Sequence, residues 1–305
     1  MTDLLQLAPE VQAALHDKQP VVALESTLIT HGLPWPENAT TALAMEAAAR
    51  ESGAIPATIA VLAGRITVGL SREQIEDLAH RPFGSVRKCS RRDLPIVVAR
   101  GEDGTTTVAG TMIVAHRAGI RVFGTGGIGG VHRGAPFDVS ADLMELGRTP
   151  VAVVCAGPKA ILDLPLTLEV LETHGVPVIG LGTDTLPGFY TRSSGLPIDV
   201  RAETPAEAAA IIAAAERMDA RHGVLVVVPV PESEASASDV DAAIERAVED
   251  ADAQGIRGKA LTPFLLKRVS ELSGGASQRT NRALLVHNAR AAGLIARELA
   301  AFLAR

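Results

Sequence analysis

Two runs of this sequence are continuously apolar and rich in β-branched residues, VAVVC at 151–155 and VLVVV at 224–228. Successive side chains of a strand point to opposite faces of its sheet, so a run without polar alternation indicates a strand covered on both faces. Segments of helical character stand between such strands, for example TPAEAAAIIAAAER at 204–217. This alternation predicts an α/β fold with three layers, α/β/α, around a largely parallel, mixed central sheet.

The organisation of the chain is uniform over its 305 residues. It contains no internal repeat, no low-complexity linker and no break in composition. Because α/β folds of this length commonly form one unit, the sequence predicts a single domain over residues 1–305.

Composition argues against several classes of partner. The net charge is −6 and no run of basic residues occurs, so we expect no nucleic-acid partner. No apolar run reaches the ~18 residues of a membrane span, and the N-terminus lacks the basic and apolar regions of a secretory signal. Cys89 and Cys155 are too few for a disulfide framework and lack metal-ligand spacing. We expect a cytoplasmic protein.

A carboxylate directly follows the predicted strand PVVAL. In open sheets of parallel strands, ligands bind outside the carboxyl ends of the strands. At such a position Glu25 either caps a turn or serves as an acid whose pKa is raised by burial. Position alone favours the cap, but the loop after Glu25, which contains His31 and two prolines, is longer than a simple connection requires. That length is an argument for the acid, and both interpretations stay open.

A lysine follows the predicted strand VAVVC, at the end of the segment AGPK. Pro158 suits a first helical position, and AILDLPLTLEVLETHG continues as a predicted helix to Gly175. Lys159 then falls in the first turn, where the helix dipole disfavours an ammonium ion. Only five of the 29 basic residues are lysines, and arginine cannot serve as an amine nucleophile. Lys159 is therefore interpreted as a neutral amine nucleophile, or alternatively as an exposed lysine without a role.

The segment FGTGGIGGVHRG contains the pattern G-x-G-x-x-G at Gly124, Gly126 and Gly129. This pattern is the fingerprint of dinucleotide-binding folds, but no helix opens within it and no acidic residue ends the next strand. Two alternatives stay open. The glycines form either a nest of backbone N–H groups for a phosphate or a tight turn with close backbone packing.

The segment FDVSADL places Asp138, Ser140 and Asp142 close together. Ser140 is a natural helix cap, and the spacing alone favours a capping cluster. The alternative is a set of oxygen ligands for a hard cation such as Mg²⁺ or Mn²⁺, which would keep several waters.

Two further segments contain groups that bind anions. VRKCSRRDLP places Lys88 with Arg87, Arg91 and Arg92 near the start of a predicted strand, PIVVA at 95–99. Most charge clusters are solvated surface, but four cations in six residues also suit a phosphate. SGGASQRTN resembles an anion-binding turn, with Asn281 at a predicted helix start.

Eight blocks together identify a resemblance to a known family. They are ALESTLITHG, PATIAVLAGRITVGLS, KCSRRDLP, TVAGTM, FGTGGIGGVHRG, FDVSADL, VCAGPKAILDL and GKALTPFLLKRVSEL. In this order they resemble the pseudouridine-5′-phosphate glycosidases, also called the indigoidine synthase A-like family. The resemblance runs from about Pro20 to the final helix.

The resemblance implies reversible cleavage of the C–C glycosidic bond of pseudouridine 5′-phosphate to uracil and ribose 5-phosphate. It also implies an α/β/α fold, a homotrimer and one Mn²⁺ per subunit. By matching motifs, Lys159 is the nucleophile that forms an imine with the ring-opened sugar, Glu25 is the proton donor and Asp138 is the metal ligand. The positions matched to substrate contacts are Lys88, Val108, Ser140, Ala141, Asp142 and Asn281.

One position departs from the family pattern. Val228 stands where the family tends to have an asparagine after the last strand, which leaves base preference open. A related C-glycoside synthase that joins ribose 5-phosphate to another aromatic ring is therefore one alternative. An NAD-dependent oxidoreductase that uses G-x-G-x-x-G is another, which the lack of an acidic residue after VAVVC disfavours.

The chemistry of a C–C glycosidic bond requires these residue types. The leaving carbon must be protonated, and an imine to the opened sugar accepts the positive charge, so a neutral amine and a protonated acid are both needed. Lys159 and Glu25 match these roles.

Overall fold

The computed structural model describes residues 4–235, 239–256, 258 and 261–303. Within these ranges the strands form one sheet of 11 and one sheet of 3. The strands are β1 (Leu5–Leu7), β2 (Val21–Leu24), β3 (Ile55–Leu62), β4 (Arg65–Val68), β5 (Arg87–Cys89), β6 (Gly104–Thr106), β7 (Val122–Gly124), β8 (Val131–His132), β9 (Ala135–Val139), β10 (Ala152–Cys155), β11 (Leu162–Asp163), β12 (Val178–Leu181), β13 (Val200–Ala202) and β14 (Val224–Val227).

The helices account for most of the remaining described chain. They are α1 (Pro9–His16), α2 (Glu37–Glu51), α3 (Arg72–His80), α4 (Leu94–Arg100), α5 (Val108–Ala118), α6 (Ala141–Leu146), α7 (Leu164–Thr173), α8 (Pro205–Arg217), α9 (Asp239–Ala253), α10 (Leu261–Leu272) and α11 (Ala276–Leu303). A π-helical turn spans Leu28–Gly32, and a 3₁₀ turn spans Glu232–Glu234.

Seven strands form the parallel centre of the large sheet, in the order β3-β2-β7-β10-β14-β12-β13. β4 and β6 pair antiparallel with β3, and β1 and β5 extend this edge. β8, β9 and β11 form the small antiparallel sheet. The predicted α/β fold with a largely parallel, mixed sheet is confirmed. The chain winds outward in opposite directions from β2 and β7, and such a reversal is where ligands bind in open sheets.

Helices cover both faces of the central sheet, which explains why its strands do not alternate with polar residues. In β2, Val22 and Leu24 belong to the hydrophobic cluster that includes α2, α8 and α11. Val21 and Ala23 belong to the cluster that includes α1, α5 and α6. All four side chains are buried, and full burial of an aliphatic side chain stabilises a fold by about 1.5–3 kcal/mol.

Several helices begin or end at the capping residues that the sequence predicts. The side chain of Thr204 accepts a hydrogen bond from the N–H of Glu207, and Pro205 is the first residue of α8. Gly119 ends α5 in the left-handed conformation, with φ of 84°. Each cap satisfies backbone groups that a helix end leaves unpaired.

The segment PIVVA was predicted as a strand, and this prediction is wrong because it forms α4. Pro95 occupies one of the first two helical positions, and Gly101 ends the helix with φ of 65°. Leu94 and Val97 are buried, whereas Ile96 between them is exposed. Burial at a spacing of three residues is helical, so tertiary packing overrides the β-branched composition.

The helix predicted from Pro158 begins later, at Leu164. Asp163 is its N-cap and accepts a hydrogen bond from the N–H of Leu166 (3.0 Å), and Pro165 lies in its first turn. Lys159 therefore lies in a loop and not in the first turn of a helix.

None of the helices in the described ranges is long and apolar enough to cross a membrane.

Candidate active site

Three neighbouring parallel strands, β2, β7 and β10, end at the same edge of the sheet. Glu25 is the first residue after β2, Thr125 is the first after β7, and Lys159 follows β10 by four residues. Because the strands are parallel, their carboxyl ends lie side by side. The fold thus brings the two predicted catalytic residues to the edge where ligand binding was expected.

Glu25 has an environment that favours the protonated carboxyl. Burial raises its pKa above the ordinary value for glutamic acid. The ammonium group of Lys159 and a hydrogen bond from Thr125 Oγ1 to Oε1 act in the opposite direction. Burial is the largest effect, so Glu25 keeps its proton to a higher pH than an exposed glutamic acid does.

Lys159 is positioned by a loop that hydrogen bonds fix on both sides. Its backbone N–H donates to the carbonyl of Ile128 (3.1 Å), and its own carbonyl accepts from the N–H of Leu162 (3.0 Å). The guanidinium of Arg133 donates to the carbonyl oxygens of Ala160 (2.8 Å) and Leu162 (3.1 Å). The Lys159 side chain is half-buried. This loop replaces the predicted helix N-terminus as the element that holds the amine.

A cavity of about 790 Å³ opens at this edge of the sheet, within the usual size range of small-molecule sites. It is also lined by Arg91, Arg92 and Arg148. The residues that the sequence assigned to the site and that line this cavity are Glu25, Lys88, Val108, Asp138, Ser140, Ala141, Asp142 and Lys159. All but one of the assigned residues therefore share one cavity.

Asp142 is a buried carboxylate that connects three parts of the site. Its Oδ1 accepts a hydrogen bond from the N–H of Ala109 in the first turn of α5, and its Oδ2 accepts one from Gly129 (both 2.9 Å). Ser140 caps α6 by accepting from the N–H of Asp142 (3.2 Å), as predicted. The side chain of Asp142 thus fixes α5, where Val108 is the first residue, against α6 and the glycine-rich loop.

The glycine-rich loop after β7 provides close packing. The N–H groups of Ile128 and Gly129 donate to the Gly157 carbonyl and the Asp142 carboxylate, so they are not directed at a ligand. A Cβ on Gly127 would lie 2.7 Å from the carbonyl oxygen of Gly157. No helix opens within the G-x-G-x-x-G pattern. Of the alternatives, the structure supports the close-packed turn and not a phosphate nest or a dinucleotide site.

Asp138 lies on β9 at the cavity, beside His132. Its Oδ2 is 3.5 Å from Nδ1 of His132, and Nε2 of that ring is buried without a hydrogen-bond partner among the described residues. In the described ranges, no three His, Cys, Asp or Glu side chains cluster in a way that would hold a metal ion. The carboxylate of Asp138 is a suitable ligand for a hard cation, which would take its other ligands from water or from a bound phosphate.

Asn281 does not line the catalytic cavity. It lies inside α11, not at the predicted helix start, and lines a second cavity of about 610 Å³ together with Trp35 and Tyr190. Its predicted substrate contact stays a prediction. Val228 is buried in the hydrophobic core and lines neither cavity, so its effect on base preference would have to be indirect.

Sequence reasoning missed two residues of the site, Thr125 and His132, and a third, Glu145, whose buried carboxylate accepts hydrogen bonds from the cavity residue Arg91. Thr125 lies within a motif that draws attention to its glycines, although its place directly after β7 mirrors that of Glu25 after β2. Glu145 follows Asp142 by three residues, a spacing that puts two carboxylates on one face of a helix. His132 carried no separate signal in the sequence.

Comparison with known proteins shows the family of this chain. The profile of the family described as indigoidine synthase A like protein matches residues 10–298. A relative from Paracoccus denitrificans is 55% identical over 303 residues, covering 98% of this chain and 100% of its own. A relative from Escherichia coli is 54% identical over 299 residues, with 97% and 96% coverage. Both are named pseudouridine-5′-phosphate glycosidase.

The chain belongs to the indigoidine synthase A-like family. The resemblance read from the eight sequence blocks is therefore confirmed.

Solved structures place the fold in the same family. The prealnumycin C-glycosynthase AlnA, in complex with ribulose 5-phosphate, matches with a TM-score of 0.90 and 41% identity over 99% of both chains. An indigoidine synthase A-like protein from Thermotoga maritima matches with a TM-score of 0.88 and 36% identity over 97% of both chains. The proteins that this chain resembles are thus named both as glycosidases and as a C-glycosynthase.

Proposed function

We propose that this chain catalyses the reversible cleavage of the C–C glycosidic bond of pseudouridine 5′-phosphate to uracil and ribose 5-phosphate. The observation that carries this proposal is the convergence of Glu25, with its raised pKa, and Lys159 in one cavity. The names of relatives that are 54–55% identical over nearly the whole chain support the choice of substrate.

In the first step the sugar ring opens and Lys159 becomes bonded to it. The lone pair of Nζ forms a new bond to C1′ as the C1′–O4′ bond breaks with its electron pair on O4′, and one proton of the nitrogen passes to O4′, which leaves a neutral secondary amine with a lone pair. The attacking amine has to be neutral. The proximity of Glu25 to Lys159 gives the amine an acid–base partner within the same cavity.

In the second step Glu25 delivers its proton to C5 of uracil. The C1′–C5 bond breaks, its electrons stay on the uracil ring, and the nitrogen lone pair of Lys159 forms the C1′=N bond of an iminium ion. Water then hydrolyses the iminium ion, which frees the amine and releases ribose 5-phosphate. The overall reaction consumes one water. The raised pKa of Glu25 supports its role because the proton must still be present when the C–C bond breaks.

In this proposal the phosphate and the predicted Mn²⁺ bind in the same cavity as Glu25 and Lys159. Lys88 on β5 supplies a positive charge for the phosphate. Asp138 would hold the ion, with water and phosphate oxygens as the other ligands, and the ion would neutralise phosphate charge. Asp142 is less suited as a ligand because both its oxygens accept backbone N–H groups.

The experiment that tests the proposal is incubation of the protein with pseudouridine 5′-phosphate and Mn²⁺, followed by chromatography. We expect uracil and ribose 5-phosphate in equal amounts, and synthesis of the substrate from these two products in the reverse direction. Uridine 5′-phosphate, which differs in having a C–N glycosidic bond, is the matched control and should stay intact. Release of no uracil from pseudouridine 5′-phosphate would refute the proposal.

A second candidate function is the synthesis of a different C-glycoside from ribose 5-phosphate and another aromatic ring. The structural match to a C-glycosynthase at 41% identity favours it, but the identity to proteins named glycosidase is higher. A synthase would show a kcat/KM for ribose 5-phosphate that is higher with another aromatic acceptor than with uracil.

We further propose, from the resemblance and composition alone, a homotrimer that works in the cytoplasm. Light scattering of the purified protein tests the assembly, and cell fractionation tests the location.

A further inference from the structure

The segment from Arg87 to Arg92 contains four cationic residues, and the arginines among them differ in whether a carboxylate of the protein pairs with them. Nε of Arg87 donates to Glu102 (3.1 Å), and Arg87 lies outside the catalytic cavity. Nε of Arg91 donates to Glu145 (2.8 Å), which has no exposed surface, and Nη2 donates to the other oxygen of the same carboxylate. Each of these two guanidinium groups is therefore already neutralised by a carboxylate of the protein.

Arg92 differs from both neighbours. It is exposed and lines the catalytic cavity with Lys88. Within the described part of the chain, no carboxylate forms an ion pair or hydrogen bond with Arg92, and it is not among the residues with further contacts. A guanidinium group without a protein counter-ion, placed at a cavity, presents a fork of N–H donors that matches phosphate oxygens.

The backbone that carries Arg92 is held in place before any ligand binds. The N–H of Ser90 donates to Oδ2 of Asp93 (3.1 Å), and the N–H of Asp93 donates to the carbonyl of Ser90 (3.0 Å). The hydroxyl of Ser90 lies 3.2 Å from that of Thr107, the N-cap of α5. This turn fixes the position of Arg92 relative to the first residue of α5, so little backbone ordering is left for binding.

The charge of the cavity wall suits a dianion. Glu25, Asp138 and Asp142 are its only acidic residues in the described ranges, and burial favours the neutral form of the first. The lysines and arginines that line the cavity are Lys88, Arg91, Arg92, Arg148 and Lys159, of which Arg91 and Arg148 share the single buried carboxylate of Glu145. Positive charge in excess around a cavity attracts and binds phosphate monoesters.

We propose that Arg92 is a substrate-binding residue that contacts the 5′-phosphate and sets the preference for phosphorylated over unphosphorylated substrate. This inference rests on the proposed function, because it takes the substrate to be a sugar phosphate. Lys88 contributes charge from the strand, whereas Arg92 contributes directed hydrogen bonds from the adjoining turn.

The test compares kcat/KM for pseudouridine 5′-phosphate with kcat/KM for unphosphorylated pseudouridine. In Arg92→Ala this ratio should fall about tenfold to hundredfold, as for loss of one hydrogen bond to a charged group. Arg92→Lys should restore part of the ratio, because it keeps the charge and loses the fork. Arg87→Ala is the matched control, since it removes an arginine of the same segment outside the cavity, and its ratio should match the wild type.

Binding of ribose 5-phosphate, measured by calorimetry with ribose as the control ligand, separates the two proposals. If the wild type binds ribose 5-phosphate and Arg92→Ala binds it equally well, the role of Arg92 is refuted while the proposed function stands. If Arg92→Ala lost activity equally towards pseudouridine 5′-phosphate and pseudouridine, the role of Arg92 would also be refuted, because a purely structural role affects both substrates alike. If the wild type neither binds ribose 5-phosphate nor cleaves pseudouridine 5′-phosphate, the proposed function itself fails.

Discussion

Thr125 donates a hydrogen bond from Oγ1 to Oε1 of Glu25, across the boundary between two adjacent parallel strands. The bond stabilises the carboxylate form, so it lowers the pKa of Glu25, while burial raises that pKa by more. Lys159, beyond the next strand, acts in the same direction as Thr125. The pKa of Glu25, at the end of β2, thus depends on residues that follow the two neighbouring strands β7 and β10.

The first prediction concerns Thr125. Thr125→Val keeps the shape of the side chain and removes the hydrogen bond, so the pKa of Glu25 should rise further. Because the protonated form of Glu25 is the active one, kcat of the wild type should fall as the pH rises through that pKa. The variant should lose activity at a higher pH than the wild type. A pH–rate profile under saturating substrate measures this shift.

The control for Thr125 is Thr173→Val, since the Thr173 hydroxyl bonds only within its own helix, to the carbonyl of Glu169 (2.8 Å). Its pH profile should overlay that of the wild type. A shift of the Thr125→Val profile towards lower pH would contradict the role assigned to the hydrogen bond.

A second prediction concerns Glu25 itself. Glu25→Gln is close in shape to the protonated carboxyl but is a poor acid, so kcat should fall about 10²- to 10⁴-fold while substrate still binds. Turnover within a few fold of the wild type would remove Glu25 from the mechanism.

The same substitution also tests the raised pKa of Glu25 through stability. A carboxyl with a raised pKa in the folded state adds stability that is full below the ordinary pKa of glutamic acid and is lost as the pH rises through the folded value. The glutamine variant has no such group. The free energy of unfolding of the wild type should therefore decline relative to Glu25→Gln as the pH rises, measured by urea denaturation at several pH values.

The sequence predicted the architecture and most of the cavity because both follow from strand patterns. Continuous apolar strands require a covered parallel sheet, and the ends of parallel strands must meet, so Glu25 and Lys159 were placed correctly. The local environment of Lys159 was not predictable. Pro158 and the segment Asp163-Leu164-Pro165 both resemble helix starts. The helix begins at the second of them because Leu162 and Asp163 pair with β8 as strand β11. Long-range contacts of this kind leave no periodic signal.

Asp142 gives a prediction about stability. Asp142→Asn keeps the size of the side chain, but its amide nitrogen cannot accept a hydrogen bond, so the N–H of either Ala109 or Gly129 loses its partner. A buried unpaired N–H costs about 1–3 kcal/mol, and the free energy of unfolding should fall by that amount. Asp77→Asn, an exposed aspartate paired with Arg81, is the control and should change it by less than about 1 kcal/mol. If the two substitutions lowered the free energy of unfolding equally, the hydrogen bonds of Asp142 would not stabilise the site.

Asp138 is predicted to mediate the effect of Mn²⁺. If its carboxylate holds the ion, Asp138→Asn should weaken Mn²⁺ binding, measured by calorimetry without substrate, and activity should no longer respond to added Mn²⁺. Asp163→Asn, on β11 of the same small sheet but acting as the cap of α7, should leave Mn²⁺ binding unchanged. A normal Mn²⁺ response in Asp138→Asn would mean that the metal ligand was assigned wrongly.

The last prediction identifies the nucleophile. When the protein is mixed with ribose 5-phosphate and borohydride, the imine should be reduced to a stable secondary amine, and mass spectrometry should find one sugar phosphate on Lys159. Lys159→Arg should be inactive and unlabelled, because a guanidinium keeps the charge but does not form an imine. The Lys159→Arg variant is needed because two other lysines could form the adduct. Lys88 also lines the cavity. Lys259, in the family block GKALTP, lies outside the described residues. An adduct on Lys88 or Lys259 instead would overturn the assignment of Lys159, even with the reaction itself intact.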